Sequence, residues 1–479
     1  MDRSLEPDTA ETFEPIRNDG LPIYRCRRAE YTLYYTPGLV CVVDSRESRS
    51  FEASIAPAGD EENGRALTWG GQLWQWAQDV VALTAARREQ PFQPECLTLY
   101  LHNQCTLRCS YCFADPQPVS TPRLDLESIA AAARLVARNC REKDLPLYVV
   151  FHGGGEPTLY RHGLERILDV LDRIGAQHGV RPFYYLATNG VMPERTAVWL
   201  ARNVHLVGLS CDGPAEVHDA QRPLWNGSGS SFLVERTGRI LREEGCAFHV
   251  RVTITPTTWH RQAEIVEYLC REFSPEEIHL EPVYQGGRAG ADFRWDVHLA
   301  EGFVSHFLQA RDVARDHGIP LSCSGSRPAA VHGPYCHLFR QVLNLVPGSP
   351  QGQKTSVATA CFKTSDARSA QQKGVAIGTR NPRTGRFEID SQQVDWLRQR
   401  LDSHPSRCLS CFNRYHCAGD CPDCCPLDSD SLSTEEQGAG FRCRLQRAIV
   451  AATLEERAAQ LWSEVQRGKV QGPHGTRIS

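Results

Sequence analysis

Strand-like and helical segments alternate through the middle of this sequence, and that alternation restricts the fold more than any other feature. The segments predicted to be strands are LTLYLH (97–102), LYVVFH (147–152), FYYLAT (183–188), VHLVGLS (204–210), AFHVRVTIT (247–255) and EIHLEPV (277–283). Between them lie stretches with apolar residues at helical spacing, as in 126–140 and 164–174. Such β–α units in series form a parallel sheet with right-handed crossovers, whose ligands bind at the carboxyl ends of the strands.

The predicted fold class is α/β, with a partial barrel of six β–α units at residues 93–320. Six strands are too few for the closed eight-stranded barrel, so the sheet is expected to stay partly open. The other predicted units are a loose tail at 1–20, a small α+β unit at 21–92, a loop-rich, cysteine-rich domain at 321–443, and a helix with a polar, frayed tail at 444–479. The cysteine-rich domain is expected to have a thin core that metal stabilises.

Cysteine gives the main clue to the chemistry of the chain. The chain has 20 cysteines in 479 residues. Three of them are at positions 105, 109 and 112, and nine lie from 336 to 443. The acidic start, MDRSLEPDTAETFEP, has no apolar signal segment. We therefore expect a cytoplasmic protein, in which thiols stay reduced and clustered cysteines bind metal. A net charge of −4 and the lack of a long apolar run indicate neither a nucleic acid nor a membrane as a partner.

The first cysteine group, Cys105-Thr-Leu-Arg-Cys109-Ser-Tyr-Cys112, directly follows the first predicted strand. A four-iron, four-sulfur cluster usually takes four cysteines, so three leave one iron open to another ligand. A structural zinc site is the alternative, but it needs four closed ligands, and only His102 is near enough in sequence to add one. The spacing therefore favours an iron–sulfur cluster with an open coordination position.

The CxxxCxxC spacing, with an aromatic residue before its last cysteine, resembles the radical S-adenosylmethionine (SAM) superfamily. Three further stretches resemble that superfamily in the same order: Gly153-Gly-Gly-Glu-Pro157, Thr188-Asn-Gly190 and Ser210-Cys-Asp-Gly-Pro214. The resemblance implies that Cys105, Cys109 and Cys112 hold the cluster. It also implies a SAM site formed by Tyr111, Gly154, Gly155, Glu156, Pro157, Asn189, Ser210 and Asp212.

The resemblance implies an activity as well. A reduced cluster would deliver one electron to SAM and produce a 5′-deoxyadenosyl radical, which abstracts a substrate hydrogen. The implied partners are a peptide or protein substrate and a one-electron donor such as ferredoxin or flavodoxin. The segments after Asp212, including Val217-His-Asp219 and Arg222-Pro223, are similar to the peptide-modifying branch of the superfamily.

A second cysteine group, Cys408-x2-Cys411-x5-Cys417-x3-Cys421 followed by Cys443, resembles the SPASM extension that carries two auxiliary clusters. By that resemblance Cys408, Cys411, Cys417 and Cys443 would hold one cluster, and Cys336, Cys361 and Cys421 the other. Ser356 replaces a glycine of the family pattern, and the fourth ligand of the second cluster is either Cys323 or an open position. Cys424 and Cys425 have no assigned role, and a zinc knot is the alternative for the whole group.

Three residues near the end of the sixth predicted strand, Glu281, Tyr284 and Arg288, are candidates to contact SAM or substrate. Structural pairing is the equal alternative for them. The predicted function is crosslinking of a ribosomally made peptide. Formylglycine-type sulfatase maturation is disfavoured because Phe362-Lys363, rather than an aspartate, follows Cys361. A small-molecule radical SAM dehydrogenase and a non-enzymatic zinc scaffold are further alternatives. The 21–92 unit is interpreted either as a leader-peptide domain that works by strand addition or as a capping subdomain.

Overall fold

The computed structural model describes residues 13–17, 20–56, 68–116, 118–119, 122–283, 287–328, 337–348, 356–360, 366–402, 408–417, 440–469 and 472–477. Tyr284, Cys336, Cys361, Cys421, Cys424 and Cys425 lie outside these ranges. The strands are β1 Glu14–Pro15, β2 Tyr24–Arg27, β3 Tyr31–Thr36, β4 Leu39–Asp44, β5 Cys96–Leu99, β6 Leu147–Phe151, β7 Pro182–Thr188, β8 Leu206–Ser210, β9 Phe248–Ile254, β10 Glu277–Pro282, β11 Leu321–Ser322, β12 Val342–Val346, β13 Val357–Thr359, β14 Ala376–Arg380, β15 Phe387–Ile389 and β16 His474–Arg477.

Helices cover the strands on their outer side. They are α1 Ser48–Ala53, α2 Trp69–Glu89, α3 Leu126–Glu142, α4 Arg161–His178, α5 Glu194–Asn203, α6 Ala215–Gln221, α7 Ser231–Glu243, α8 Gln262–Phe273, α9 Leu299–Asp316, α10 Ala367–Gln372, α11 Ser391–Leu401, α12 Arg414–Cys417 and α13 Phe441–Gln466. Short 3-10 turns lie at Pro157–Tyr160, Trp259–Arg261 and Ala291–Phe293. None of the helices in the described ranges has the length and apolarity to cross a bilayer.

The six strands predicted from the alternation are β5 to β10, and they pair in parallel in chain order. Burial alternates along β9 and β10 and along most of β7, whereas β5 and β8 have three consecutive buried residues. On β9, Val250 and Val252 are buried against the helices, whereas His249 and Arg251 are only partly buried. The alternation follows from the pleat, which points successive side chains to opposite faces. The α/β partial barrel is thus confirmed, with polar side chains on the face away from the helices.

The sheet does not end at the last of these strands. β11 adds to β10, and at the other edge β12 pairs in parallel with β5, so the sheet has eleven strands in the order β11-β10-β9-β8-β7-β6-β5-β12-β13-β14-β15. Leu343, Ile377 and Leu397 join the same apolar cluster as the barrel residues. The thin core expected after residue 320 is therefore wrong for the described part of that region, because its strands extend the barrel sheet.

Ser356 shows how this extension is attached to the barrel. Its side chain is fully buried and donates a 2.7 Å hydrogen bond to the carboxylate of Asp125. Asp125 also accepts from the backbone N–H of Ser128 at 2.7 Å and so caps the first turn of α3. The serine at this position therefore links the strand that starts at Val357 to the helix that follows the cysteine loop.

The N-terminal strands form a second, antiparallel sheet in the order β1-β2-β3-β4-β16. One face packs on α1 and α2 through residues such as Tyr34 and Leu73. The other face packs on α13 and on Phe412, through residues such as Tyr35 and Leu454. The sheet therefore lies between helices that come from opposite ends of the chain, and Phe412, close to Cys411, belongs to its core.

The tail after α13 differs from its prediction. The sequence predicts a polar, frayed tail from Gln466 onward, but His474–Arg477 form β16, antiparallel to β4. The sequence His-Gly-Thr-Arg has no apolar residue and no strand-like alternation, so periodicity gives no sign of it. Pairing with a sheet edge from the far end of the chain supplies its structure instead.

Candidate active site

The loop after β5 carries Cys105, Cys109 and Cys112 beside the carboxyl ends of the next strands. Burial raises the pKa of the Cys105 thiol to about 12, and the nearby Glu156 carboxylate adds to this rise. Burial likewise raises the pKa of Cys109 to about 11, against the opposing effect of the Arg222 guanidinium. Ligation requires thiolates, so cluster binding here must release protons, and the cation favours that release.

The backbone of the cysteine loop is bound by the segment that follows α6. Arg108 N donates to Pro223 O at 2.8 Å, and Ser110 N donates to Gln221 O at 3.0 Å. The indole N–H of Trp225 donates to Cys105 O at 3.0 Å. The shape of the loop is therefore imposed by residues more than a hundred positions later in the chain.

The Gly153–Pro157 turn after β6 packs directly on the residues that lead into Cys105. Gly155 N donates to His102 O and Glu156 N to Gln104 O, both at 2.8 Å. A Cβ on Gly155 would lie 1.9 Å from Gln104 O, so only glycine permits this approach. The turn and the cysteine loop thus form one continuous backbone surface at the top of β5 and β6.

The Glu156 side chain is 2% exposed and accepts hydrogen bonds from three of its neighbours. Oε1 accepts from Thr158 N at 3.1 Å and from Thr188 Oγ1 at 2.8 Å, and Oε2 accepts from Asn189 N at 2.7 Å. Burial raises the pKa of Glu156, and these hydrogen bonds oppose the rise. The carboxylate therefore ties the end of β6 to the end of β7.

Asn189 continues this connection to the cysteines. Its Nδ2 lies 3.4 Å from Cys105 Sγ and 3.1 Å from Thr106 Oγ1, and its Oδ1 accepts from Val191 N. An amide that donates to a thiolate stabilises the charged form. Glu156 and Asn189, both predicted from the motifs, are thus brought together against Cys105.

Asp212, after β8, is fully buried, and both of its carboxylate oxygens accept hydrogen bonds from other residues of the protein. Oδ2 accepts from Tyr111 OH at 2.6 Å and from Gln221 Nε2 at 2.7 Å, and Oδ1 accepts from Thr253 N at 2.9 Å. Arg222 Nε lies 2.9 Å from Oδ2. Burial by itself would raise the pKa of Asp212, but the charges of Arg222 and His218 and the hydrogen bonds to the carboxylate together outweigh it and hold the pKa below its usual value. The contacts indicate a positioning role for Asp212.

Glu281 and Arg288, two of the three substrate candidates, are held in structural pairs. Glu281 Oε1 lies 2.5 Å from the guanidinium of Arg442, which is 3% exposed, and Oε2 lies 3.0 Å from His279 Nε2. Arg288 Nε lies 2.7 Å from Asp115 Oδ1, and Arg288 N donates to Cys112 O at 2.9 Å. Of the two interpretations left open for them, the structure favours pairing. The third candidate, Tyr284, lies outside the described residues.

The auxiliary cysteines within the described part of the chain are Cys323, Cys408, Cys411, Cys417 and Cys443. Tyr24 OH donates to Cys411 O at 3.1 Å, and Tyr35 OH hydrogen-bonds His416, which precedes Cys417. Cys443 lies in the first turn of α13, beside Arg442. The segment that carries three of these cysteines thus rests on the N-terminal sheet, while the ligand sets predicted for the two auxiliary clusters remain predictions.

Across the residues that the structure describes, no three His, Cys, Asp or Glu side chains are grouped so that they could hold one metal ion. The assignment of Cys105, Cys109 and Cys112 as cluster ligands stays a prediction.

Several residues that shape the site have no signal of their own in the sequence. Gln221, Trp225 and Arg442 contact Asp212, the cysteine loop and Glu281, but none belongs to a predicted site. Arg222 stands out only as part of the Arg222-Pro223 dipeptide. Trp225 and Arg442 lie 120 and 161 positions from their partners, so no local pattern indicates those two contacts.

Comparison with known proteins matches the central part of the chain to a family model and most of the chain to a known fold. The family model described as the radical SAM superfamily matches residues 99–269. A cysteine-type anaerobic sulfatase-maturating enzyme of Clostridium perfringens (strain 13) is 30% identical over 196 residues, which are 38% of this chain and 50% of that protein. The enzyme of the same name from Clostridium novyi is 24% identical over 177 residues, 36% of this chain and 46% of that protein. The chain thus spans about half the length of the curated relatives it matches.

Among solved structures, the native protein anSMEcpe with bound AdoMet has a TM-score of 0.59 and 16% identity, covering 76% of this chain and 99% of that one. The same protein with AdoMet and a peptide named Cp18Cys has a TM-score of 0.57 and 18% identity, covering 77% and 99% of the two chains. At these identities the likeness shows a shared fold.

Proposed function

Because residues 99–269 are a radical SAM domain, we propose that this enzyme cleaves SAM reductively and oxidises a side chain of a peptide or protein substrate. The family uses a four-iron, four-sulfur cluster and SAM, which are the two cofactors that the sequence predicts. Cys105, Cys109 and Cys112 are the proposed ligands of that cluster.

One observation supports the proposal most strongly: the cysteine loop is hydrogen-bonded to the ends of several neighbouring strands. Gly155, after β6, donates a backbone hydrogen bond to His102, just before the cysteine loop. Asn189, after β7, contacts Cys105. Asp212 after β8 binds Tyr111 within the loop. A chance trio of cysteines would not require this set of contacts. Carboxyl ends of parallel strands are where ligands bind in α/β sheets.

The residues around the loop have separate tasks in this proposal. When bound, the reduced cluster supplies the electron that splits SAM into methionine and a 5′-deoxyadenosyl radical. Glu156 holds the Gly153–Pro157 turn and Asn189 in place, so that the backbone of the turn can bind the methionyl amino group. Ser210, at the end of β8 and partly exposed, is proposed to contact SAM. Trp225 donates its indole N–H to Cys105 O and is proposed to hold that side of the loop in place.

Two substrate reactions follow from the same site. The first is crosslinking of side chains in a ribosomally made peptide. Phe362-Lys363, which occupies the place of an aspartate in formylglycine-forming enzymes, supports this reaction. The second is formylglycine formation, supported by the name of the Clostridium relatives. A peptide substrate is common to both.

Cluster binding and SAM cleavage test the general proposal. The anaerobically purified protein is analysed for iron, sulfide and zinc, and 5′-deoxyadenosine is measured with SAM and dithionite. About four iron per three-cysteine site is expected, with 5′-deoxyadenosine lost in Cys105→Ala. Cys246→Ala, at a partly buried cysteine outside the loop, is the matched control and should retain both. Zinc without iron after reconstitution, or product formation that Cys105→Ala leaves intact, would refute the proposal.

Product chemistry separates the two substrate reactions. Candidate precursor peptides and sulfatase-derived peptides are incubated with the enzyme, and products are analysed by mass spectrometry. A crosslinked peptide loses hydrogen and yields linked fragments after digestion. A formylglycine product carries an aldehyde that a hydrazide reagent traps. Turnover of SAM without modification of either peptide class would favour the small-molecule dehydrogenase alternative.

A further inference from the structure

Asn413 is a fully buried amide that lies between two of the predicted auxiliary ligands, Cys411 and Cys417. Within the described part of the chain, neither its Oδ1 nor its Nδ2 has a hydrogen-bond partner, and no other buried side chain there lacks partners for both a donor and an acceptor. Burying an unsatisfied polar group costs the free energy of its desolvation, so folded proteins leave few such groups. The two atoms together indicate a partner other than the described side chains.

The main chain of Asn413 is already engaged with the cysteines on either side of it. Its N–H donates to the Cys411 thiol, as does the N–H of Arg414. Its carbonyl oxygen accepts from the N–H groups of His416 and Cys417, both at 3.0 Å. The Asn413 side chain therefore starts from a backbone position inside the loop that carries three predicted ligands of one cluster.

Neighbouring aromatic residues hold this loop against the N-terminal sheet. Phe412 is 2% exposed, and its ring stacks on that of Phe13 with 4.5 Å between the ring centres. The Tyr35 hydroxyl hydrogen-bonds the buried His416 side chain. Because the loop is fixed on both sides of Asn413, a small rotation of the backbone does not bring its amide to water.

The Cys411 thiol lies near a second thiol and near a cation. The charges of Cys408 and Arg447 both act on it, and Arg447 is one helical turn after Cys443 on α13. Thiolates and inorganic sulfides accept hydrogen bonds, so a cluster bound at these cysteines presents acceptors that Nδ2 can use. The guanidinium, with five N–H donors, brings donors to the same group of side chains for Oδ1. The unsatisfied amide thus fits an iron–sulfur cluster at this place.

We propose that the Asn413 side chain donates a hydrogen bond from Nδ2 to a sulfur of the auxiliary cluster held by Cys408, Cys411, Cys417 and Cys443. The reduced cluster is more negative than the oxidised one, so a donor to its sulfurs stabilises the reduced state more. Asn413 thereby raises the reduction potential of this cluster and slows its loss from the protein. The inference rests on the auxiliary clusters that accompany the proposed function.

An apolar replacement separates this role from the alternative that the amide is merely unsatisfied or hydrated. Asn413→Leu keeps a branched side chain of similar size and removes both polar atoms. If the amide has no partner in the cluster-loaded protein, the substitution removes an unsatisfied group and raises the free energy of unfolding. If Nδ2 donates to the cluster, the reduction potential falls and a chelator removes iron faster.

The measurement is a redox titration of the full-length protein, reconstituted with iron and sulfide and followed by electron paramagnetic resonance. Cys408→Ala identifies the redox wave that belongs to this cluster. In Asn413→Leu that wave should move to a more negative potential by about 59 mV or more, which is a tenfold change in the ratio of reduced to oxidised cluster for one electron. A second variant, Asn413→Asp, replaces the donor by a carboxylate and should shift the same wave in the same direction. The other waves should stay in place.

Gln262→Leu is the matched control, because it also removes a buried amide. Gln262 is fully buried at the start of α8, and its Nε2 donates to Trp259 O at 2.8 Å and to Phe303 O at 3.0 Å. The substitution should lower the free energy of unfolding and leave every redox wave unchanged. A shift caused by general destabilisation is recognised in this way.

Three outcomes would overturn the inference: a Cys408-dependent wave that neither Asn413 variant moves, an equal shift in Gln262→Leu, or the absence of any wave that depends on Cys408. Selective loss of this cluster from both Asn413 variants, with the other clusters retained, would support it. Formation of 5′-deoxyadenosine from SAM is measured on the same samples. Its absence in the wild type would count against the proposed function alone, whereas the Cys408-dependent wave decides the role of Asn413.

Discussion

The Tyr111 phenol donates a 2.6 Å hydrogen bond to the Asp212 carboxylate, although a hundred residues separate them. Tyr111 lies between two of the proposed cluster ligands, and Asp212 follows β8. The Arg222 guanidinium completes the contact, since it pairs with Asp212 and lies 5.3 Å from the centre of the Tyr111 ring. One buried carboxylate thus connects the cysteine loop, the end of β8 and the segment after α6.

Removing the phenol hydroxyl should loosen the cysteine loop. Tyr111→Phe leaves Asp212 with its other donors but removes one charge-assisted hydrogen bond, which is worth about 1.5–3 kcal/mol. We expect a lower unfolding midpoint in urea and faster loss of iron to a chelator. Tyr148→Phe, at an exposed tyrosine on β6, is the control and should change neither. Equal iron retention in both variants would contradict this role of Tyr111.

Asp212→Asn should be more damaging, because it leaves the buried Arg222 guanidinium without its carboxylate. Breaking one partner of a buried pair typically costs about 3–5 kcal/mol. The measurement is the free energy of unfolding by urea at neutral pH. A second substitution that also removes the cation, Arg222→Met, should recover part of the loss. If Asp212→Asn alone costs less than a surface substitution, the pair is not structural.

The pair of Asp212 with Arg222 predicts that the stability of the folded protein falls at acidic pH. The folded pKa of Asp212 lies below its usual value, so the unfolded state binds more protons as the pH approaches that value. The stabilisation is therefore present above the unfolded pKa of about 3.9 and is lost as the pH falls through the folded pKa. The difference in unfolding midpoint between wild type and Asp212→Asn should shrink between about pH 5 and pH 3. A difference that grows toward low pH would contradict the assignment.

The pair between Glu281 and Arg442 should couple the barrel to the start of α13. Arg442→Leu leaves the buried Glu281 carboxylate with His279 and Ser324 as its other partners, and a loss of about 3–5 kcal/mol is expected. Because Cys443 is the next residue, auxiliary iron should fall while 5′-deoxyadenosine formation persists at first. Arg444→Leu, at an exposed arginine of the same helix, is the control. A double-mutant cycle with Glu281→Gln measures the coupling, and additive effects would show that it is absent.

The hydrogen bond of Tyr35 tests the link between the N-terminal sheet and the auxiliary cysteines. Tyr35→Phe removes one hydrogen bond from buried His416, beside Cys417, at a cost of about 0.5–1.5 kcal/mol. Iron per chain should fall. Tyr34→Phe removes a hydroxyl from the opposite face, where it contacts Ser48 and Glu52, and should lower stability without loss of iron. Equal iron contents in the two variants would argue that the sheet does not support the cluster segment.

The sequence by itself determined the parallel barrel and the edge of the sheet at which its cysteine loop and SAM-binding motifs lie. Apolar residues alternate along half-buried strands, run continuously through buried ones and repeat every three or four residues along helices, so β5 to β10 can be predicted from the local pattern. Parallel strands place their carboxyl ends together, and for that reason the order of the motifs alone predicts the cysteine loop, Glu156, Asn189 and Asp212 at one edge of the sheet.

Tertiary structure alone decided how these residues are used. Periodicity reports that a side chain is buried but not which partner it meets, so the pairs of Glu281 with Arg442 and Arg288 with Asp115 have no local signal. The same holds for β16, whose polar sequence becomes a strand only because the edge of β4 offers it main-chain partners. Contacts between distant segments form only when folding brings those segments together, and a local sequence pattern does not specify which segments meet.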